Sequence, residues 1–163
     1  MIKELTIAAM FMGVTHAEVE CLSLNMYHEA RNQGTAGVLA ASNVVLNRVN
    51  DHRYPDTICE VIQQGPTRKS WKGTGEIFPI RNRCQFSWYC DGKSDKPTDT
   101  VTYDNLYELS LDILSTEYPY VDITDGATHY HADYIKPAWA STKTKTVEIE
   151  DHIFYRWEYN DVK

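Results

Sequence analysis

The sequence predicts an α+β fold with a mainly helical core and a small antiparallel β-sheet. Helical spacing of apolar residues dominates the chain up to Glu117, whereas the remainder is richer in β-branched and aromatic residues. Tyr118-Pro119 separates the two parts, because proline lacks the amide hydrogen that a helix needs. The chain has 163 residues and neither an internal repeat nor a linker, so we expect a single domain over residues 1–163.

Four helices are predicted before that proline. In the first, over residues 16–31, apolar residues recur at three- and four-residue intervals and form one buried stripe. Gly34 ends this helix, and Thr35 can cap a second helix that runs to about Asn50. The other two helices are predicted over residues 57–64 and 103–117.

Three short antiparallel strands are predicted after the proline, over residues 127–131, 144–149 and 153–157. Residues 65–75 and 91–100 are polar and aperiodic, and we expect surface loops there. The aromatic segment from Cys84 to Cys90 is compatible with either a strand or a bend.

The N-terminal segment has two interpretations. Lys3 precedes an apolar run from Leu5 to Val14, and Thr15-His16-Ala17 resembles the cleavage site of an export signal. The run is too short to span a bilayer, so residues 1–17 are either an export signal or a first core helix. We expect no stable membrane insertion.

The overall composition argues against nucleic acid as a partner. The net charge is -7, and no run of Lys and Arg interrupts the acidic balance. Aromatic residues make up 12% of the chain and suit flat, polar ligands, because they offer a stacking face and a hydrogen-bonding edge. Core and surface packing accounts for most of them equally well.

Four cysteines, Cys21, Cys59, Cys84 and Cys90, can form up to two disulfides in an oxidising compartment or remain thiols in the cytosol. The sequence does not determine the pairing. We expect no cysteine-bound zinc, because the chain has no Cys-x-x-Cys pair.

The densest cluster of reactive side chains is Tyr27-His28-Glu29-Ala30-Arg31, at the end of the first predicted helix. The negative end of the helix dipole and desolvation by neighbouring residues would favour the protonated form of the Glu29 carboxyl. Such a carboxyl can act as the general acid of glycoside cleavage. The alternative is a surface salt bridge, and pairing with Arg31 would oppose the rise in pKa.

Histidines offer a second kind of chemistry. His129 and His131 flank Tyr130 in a predicted strand, so their imidazoles would lie on one face. Completed by His28 or His152, they could ligate a catalytic zinc, with a carboxylate acting as base. The His-Glu-x-x-His motif does not supply the site, because position 32 is Asn; without a metal, His28 is expected to pack or orient its neighbours.

A third group of candidates suits sugar binding. Gln85-Phe86-Ser87-Trp88 combines an amide, a hydroxyl and two aromatic faces, although burial of these aromatics in a β-segment fits the pattern equally well. Trp139 and Tyr155 have the same two interpretations. Ser87 is a weak nucleophile candidate, because no Gly-x-Ser-x-Gly elbow surrounds it.

Several motifs occur in one order along the chain. They lie at residues 21–31 (CLSLNMYHEAR), 44–49 (VVLNRV), 54–62 (YPDTICEVI), 84–88 (CQFSW), 91–92 (DG), 127–132 (ATHYHA), 137–140 (PAWA) and 152–155 (HIFY). This ordered set resembles the catalytic domain of the SleB/CwlJ cell wall hydrolases, and the resemblance extends from Glu20 to Tyr155.

The resemblance implies a lysozyme-like domain, related to lytic transglycosylases, that cleaves the bond between N-acetylmuramic acid and N-acetylglucosamine in peptidoglycan. It implies that Glu29 is the essential acid and that neither a metal nor another cofactor takes part. In this hypothesis the saccharide cleft is lined by Gln85, Ser87, Trp88, Tyr130, His131, Trp139 and Tyr155. Supporting roles are expected for His28, Arg31, Asn47, His129 and His152.

The number of carboxylates favours transglycosylation over hydrolysis. Ordinary glycoside hydrolysis uses two carboxylates, and Glu29 alone stands out, although Asp91, Asp133 or Asp151 could supply a second. A lytic transglycosylase needs only one, because the C6 hydroxyl of muramic acid attacks the anomeric carbon. Family members are also labelled amidases, so a metal-dependent amidase using His129, His131 and either His28 or His152 is the second hypothesis. A glycan-binding module without catalysis is the third.

The last turn departs from the family pattern, since Glu150-Asp151 stands where Gly-Asn is expected before the final motif. The sequence therefore leaves the conformation of that turn open. We expect a monomer that acts on peptidoglycan glycan strands in the periplasm or cell wall. A compact chain without a wall-binding domain suggests a phage endolysin, released from the infected cell, or a minimal exported bacterial hydrolase.

Overall fold

The computed structural model describes residues 14–115 and 121–159. Its helices are α1 (His16–Ala30), α2 (Thr35–Val49), α3 (Ile58–Ile62) and α4 (Thr100–Ile113). Its strands are β1 (Thr67–Lys69), β2 (Ile77–Pro79), β3 (His129–Ala132), β4 (Thr144–Ile149) and β5 (His152–Arg156). Short 3₁₀ turns occupy Ser87–Cys90 and Ala138–Thr142. The predicted α+β fold is confirmed, whereas most of the N-terminal segment 1–17 and the Tyr118-Pro119 break lie outside the described residues.

Helix α1 lies at the centre of the helical core and contacts α2, α3 and α4. Its predicted stripe is buried, and Val19, Leu22 and Met26 are completely inaccessible to solvent. Burial of one such side chain contributes about 1.5–3 kcal/mol, so the stripe determines which face of the helix points inward. Glu29 follows Met26 by three residues and continues the same face. The pattern that builds the core therefore also carries this carboxyl inward.

Two disulfides form among the four cysteines. Cys21 on α1 bonds Cys59 on α3, across 38 positions of the sequence. Cys84 bonds Cys90 and closes the short 3₁₀ turn, so the segment between them is neither a strand nor a simple bend.

The sheet has the order β3-β5-β4, and both pairings are antiparallel. Alternation along the strands divides its side chains between two faces. On one face, Tyr130 and Phe154 pack with the buried Ala40 and Val44 of α2. The other face carries His129 and His131, which line the candidate site together with Tyr130 from the first face.

Two elements differ from the sequence prediction. The predicted loop 65–75 contains strand β1, which pairs with β2 in a small hairpin. Nearly every residue of these strands is exposed, so no alternation of apolar and polar residues marks them. Helix α4 begins at Thr100 rather than Tyr103, because Asp99 accepts the Thr102 amide at 3.0 Å, and it ends earlier than predicted, at Ile113.

The turn between β4 and β5 reaches across to the start of α2. Glu150 adopts the left-handed conformation, with φ of 52°, at the position where the family pattern has glycine. Its carboxylate accepts a hydrogen bond from the Gly34 amide at 2.8 Å, and Gly34 is the N-cap of α2. An acidic group from another segment therefore caps this helix.

Within the described ranges, no helix combines the length and the apolar character that crossing a membrane would require.

Candidate active site

A groove of about 250 Å³ lies where α1 and α2 meet strand β3. Its walls come from four parts of the chain. The lining residues are Glu29, Arg48, Gln85, Phe86, His129, Tyr130, His131, Ile135, Pro137 and Trp139.

Glu29 lies in the last turn of α1, as predicted, and reaches the groove. Burial raises the pKa of its carboxyl, whereas the Tyr130 hydrogen bond and the charges of His28 and Arg48 act in the opposite direction. Arg31 is turned towards Tyr27, whose carbonyl oxygen accepts from its Nη1 at 3.2 Å. Desolvation thus favours the protonated carboxyl that a general acid requires.

Tyr130 is the direct partner of Glu29. Its hydroxyl donates a hydrogen bond to Glu29 Oε2 at 2.6 Å. Burial, followed by the proximity of Glu29, raises the pKa of Tyr130 well above its usual range, so the phenol stays a donor. Phe154 and His152 hold the ring, with centroids 5.5 and 5.2 Å away. His152 therefore supports the tyrosine from outside the groove.

His131 and Trp139 form a second wall. His131 Nδ1 donates to the carbonyl oxygen of Ala132 at 2.7 Å, so in the neutral imidazole Nε2 accepts from the Tyr155 hydroxyl at 3.0 Å. Tyr155 is buried behind the imidazole and stacks on it, which fixes the ring. Trp139 contacts both His129 and His131, which confirms that the two imidazoles share a face.

The histidines are not arranged as a metal site. Burial and the charge of Arg48 lower the pKa of His129 to about 3, and its neutral imidazole is the form that ligates metals, but the described residues place no set of three ligands around it. His28 Nε2 instead meets the Asp95 carbonyl oxygen at 2.8 Å, and His152 packs on Tyr130. Across residues 14–115 and 121–159, no three His, Cys, Asp or Glu side chains converge to hold an ion.

The aromatic segment before Cys90 divides between groove and core. Gln85 lines the groove. Trp88 is 9% exposed, and its Nε1 donates to Asn25 Oδ1 at 2.9 Å while its ring stacks on His28. Ser87 is exposed but does not line the groove. Packing of the 3₁₀ turn therefore accounts for Trp88.

Asn47 supports the site from α2. Its Nδ2 donates to Asp122 Oδ2 at 3.0 Å and to the Ala127 carbonyl oxygen at 2.9 Å. These bonds tie α2 to the loop that leads into β3. Asn47 therefore helps to position the strand that carries Tyr130.

Glu29 is the one carboxylate among the described residues that line the groove. The three aspartates considered as second carboxylates lie elsewhere. Asp91 accepts the Lys93 amide, Asp151 accepts from Gln33, and Asp133 lines a neighbouring depression. The groove thus offers a single acid.

Arg48 also lines the groove and was not a candidate in the sequence, and Phe86 joins it from the candidate segment 85–88. Arg48 is 2% exposed, its Nε donates to the Thr128 carbonyl oxygen at 2.7 Å, and its guanidinium lies between two aromatic rings. A signal was present, because Arg48 follows the buried Val45 by three residues on the inner face of α2.

Comparisons with solved structures identify similar folds. The catalytic domain of the germination-specific lytic transglycosylase SleB from Bacillus anthracis matches with a TM-score of 0.62 and 21% identity, covering 88% of this chain and 98% of that one. The catalytic domain of the Bacillus cereus SleB protein matches with a TM-score of 0.58 and 21% identity, covering 87% and 91%. A search of curated proteins found no match.

A family model described as cell wall hydrolase matches residues 32–155. The match includes the groove residues on α2, on β3 and in the 3₁₀ turn 138–142, and it begins three positions after Glu29. Because the matched residues make up well over half of the chain, the chain belongs to the cell wall hydrolase family.

Proposed function

We propose that this protein is a lytic transglycosylase that cleaves the N-acetylmuramic acid to N-acetylglucosamine bond of peptidoglycan, with Glu29 as general acid and then base. One observation carries the proposal: a desolvated carboxyl, hydrogen-bonded by Tyr130, lies in the groove as its single described acid. Membership of the cell wall hydrolase family and the SleB-like fold support the choice of substrate.

The first step is proton transfer to the glycosidic oxygen. Glu29 gives its proton to the oxygen that leaves with the neighbouring sugar, and the bond from that oxygen to the anomeric carbon breaks. The resulting carboxylate is stabilised by the Tyr130 hydroxyl, which already donates to Oε2 in the free enzyme. The raised pKa of Glu29 keeps the proton available near neutral pH.

The second step uses the same carboxylate as a base. It removes the proton of the C6 hydroxyl of muramic acid while that oxygen bonds to the anomeric carbon. The product is a 1,6-anhydro sugar, and Glu29 regains the proton it gave away. One acid thus completes the cycle, in accord with the single carboxylate of the groove.

Sugar binding is assigned to the groove walls. Trp139 offers an indole face for the C–H surface of a pyranose, and Gln85 and His131 offer polar groups for its hydroxyl and acetamido substituents. Tyr155 acts through His131, and Trp88 acts through the packing of its turn. This division predicts that Trp139 affects substrate affinity more directly than Trp88 does.

The proposal extends to a monomer that works outside the cytoplasm, in the periplasm or cell wall. The two disulfides support this location, because they persist in oxidising compartments. Release from a phage-infected cell is one route to the substrate, and export is the other.

The test is product analysis by mass spectrometry of purified peptidoglycan digested with the enzyme. The expected products end in 1,6-anhydro-muramic acid, lack one water relative to hydrolysis products and resist borohydride reduction. Reducing muramic ends would instead indicate a hydrolase, and released stem peptides an amidase. Wall binding without soluble products would indicate a glycan-binding module, and any of these three results would overturn the proposal.

A further inference from the structure

We propose that Arg48 is the buried countercharge of Glu29: a positioning residue that stabilises the carboxylate formed each time Glu29 gives up its proton. This inference rests on the function proposed above. It concerns the electrostatics of the acid rather than a contact with the substrate.

Arg48 is held in a fixed position. Its side chain is 2% exposed, and its Nε is anchored to the Thr128 carbonyl oxygen next to the start of β3. The guanidinium carbon lies 5.1 Å from the ring centroid of Tyr54 and 5.5 Å from that of Phe86. Aromatic faces favour a cation and exclude water from it. The charge is therefore fixed in place within a low-dielectric environment.

One hydrogen-bond donor of the Arg48 guanidinium is unused. Arg48 Nη1 is inaccessible to solvent and has no hydrogen-bond partner. A buried, unpaired donor on a charged group is costly, so its retention calls for a compensating role. An apolar side chain at this position on the inner face of α2 would fill the same space without the desolvation cost of a buried charge.

Three groups act on the Glu29 carboxyl from the surrounding elements. Tyr130 faces Glu29 from β3, His28 from its own helix and Arg48 from α2. Tyr130 is neutral, and His28 is engaged with the Asp95 carbonyl oxygen. Burial lowers the pKa of Arg48, whereas Tyr54, Tyr130 and Glu29 act in the opposite direction. As a guanidinium, Arg48 still keeps its charge throughout the catalytic pH range.

These features fit the catalytic cycle. Proton donation leaves a negative charge in a desolvated groove, where a cation acts over a longer distance than it would in water. Arg48 lines the same groove as Glu29, whose Oε2 accepts its hydrogen bond from Tyr130 rather than from the guanidinium. The carboxyl can therefore keep its proton in the resting enzyme and still become a stable anion during turnover.

The experiment compares the pH profiles of Arg48→Gln, Arg48→Lys and the exposed control Arg68→Gln, after circular dichroism and thermal melting have established folding. Loss of the charge in Arg48→Gln should move the alkaline limb of kcat to higher pH, because the Glu29 pKa rises further when its cation is removed. Its kcat at the optimum should fall by about tenfold or more, with KM changed less than about threefold.

Arg48→Lys keeps the charge but not the planar fork, so its alkaline limb should stay close to that of the wild type and part of kcat should be retained. Arg68→Gln should leave both quantities unchanged, because Arg68 is exposed on β1. If Arg48→Gln does not fold, the test rests on a folded Arg48→Lys. An alkaline limb of kcat that moves to higher pH although the charge is retained would overturn the inference.

A folded Arg48→Gln with a wild-type profile, or one that loses affinity rather than kcat, also overturns it. The proposed function is tested separately by Glu29→Gln. If Glu29→Gln is inactive while the pH profile of Arg48→Gln is unchanged, the role of Arg48 as countercharge is refuted and the role of Glu29 as general acid is retained.

Discussion

At the scale of single residues, the proposed chemistry depends on one carboxyl and the hydroxyl bonded to it. Glu29 stood out in the sequence because of the reactive side chains around it and because of the family resemblance. The helix dipole and desolvation were the expected causes of its raised pKa, and burial is the largest one. The partnership with Tyr130 was not foreseen, because it joins residues 101 positions apart.

Tyr130→Phe tests this partnership. The hydrogen bond favours the Glu29 carboxylate, so its loss should raise the Glu29 pKa and move the alkaline limb of activity to higher pH. The rate at the optimum should fall by roughly tenfold to a hundredfold, because the carboxylate formed during turnover loses its donor. Tyr134→Phe is the matched control, since Tyr134 is 84% exposed. An unchanged pH profile in Tyr130→Phe would contradict this role.

Single residues also show where a sequence pattern leaves two roles open. An aromatic residue between two cysteines suits either a sugar platform or a core, and Trp88 lies in the packing of its turn. Composition cannot separate the two outcomes, because both use the same apolar ring. Arg48 shows the opposite case. A charged residue on the inner face of a helix is unusual, so its position in the sequence indicates a buried polar site.

At the scale of elements, helical periodicity predicted α1 and α2 to within about one residue at each end. The strands of the main sheet were also identified, because their β-branched and aromatic residues are half-buried. The β1-β2 hairpin was missed, because its strands are three residues long and carry no buried face. The contact from Glu150 to Gly34 was inaccessible to sequence reasoning, since it depends on tertiary placement.

The Glu150 turn makes a prediction about helix stability. Glu150→Ala removes the cap of α2 while keeping a Cβ in the left-handed conformation, so it should lower the free energy of unfolding by about 1 kcal/mol. Glu150→Gly also removes the cap but relieves about 1 kcal/mol of backbone strain, so its stability should be close to that of the wild type. Denaturant unfolding measures both. Equal stabilities of the two variants would contradict this account.

At the scale of the whole molecule, the fold brings a helix from the first part of the chain against a sheet from the last part. Glu29, Arg48 and Tyr130 meet only because α1, α2 and β3 pack together. The fold class followed from hydrophobic periodicity, and the family resemblance followed from the ordered motifs. The sequence also named Glu29, Gln85, Tyr130, His131 and Trp139, whereas the place of Arg48 in the groove required coordinates. The cysteine pairing likewise required the proximity of α1 and α3.

The two disulfides should contribute unequally to stability. Cys21 and Cys59 are 38 positions apart, and loop-closure entropy predicts about 3–4 kcal/mol for that bond. Cys84 and Cys90 are 6 positions apart, which predicts about 2 kcal/mol. Chemical denaturation of Cys21→Ser/Cys59→Ser should therefore show the larger loss, with Cys84→Ser/Cys90→Ser as its comparison. A larger loss from the shorter loop would show that native-state interactions dominate instead.

The most direct test of the general acid is the lysis rate of purified cell walls, followed by turbidity, for Glu29→Gln beside Glu20→Gln on the exposed face of the same helix. Glu29→Gln should be inactive and should melt at or above the wild-type temperature at pH 7. The raised pKa means that ionisation of Glu29 costs stability as pH rises above the ordinary value of 4.5, and Gln removes that cost. Glu20→Gln should lyse walls like the wild type. A folded Glu29→Gln that lyses walls at the wild-type rate would contradict the account.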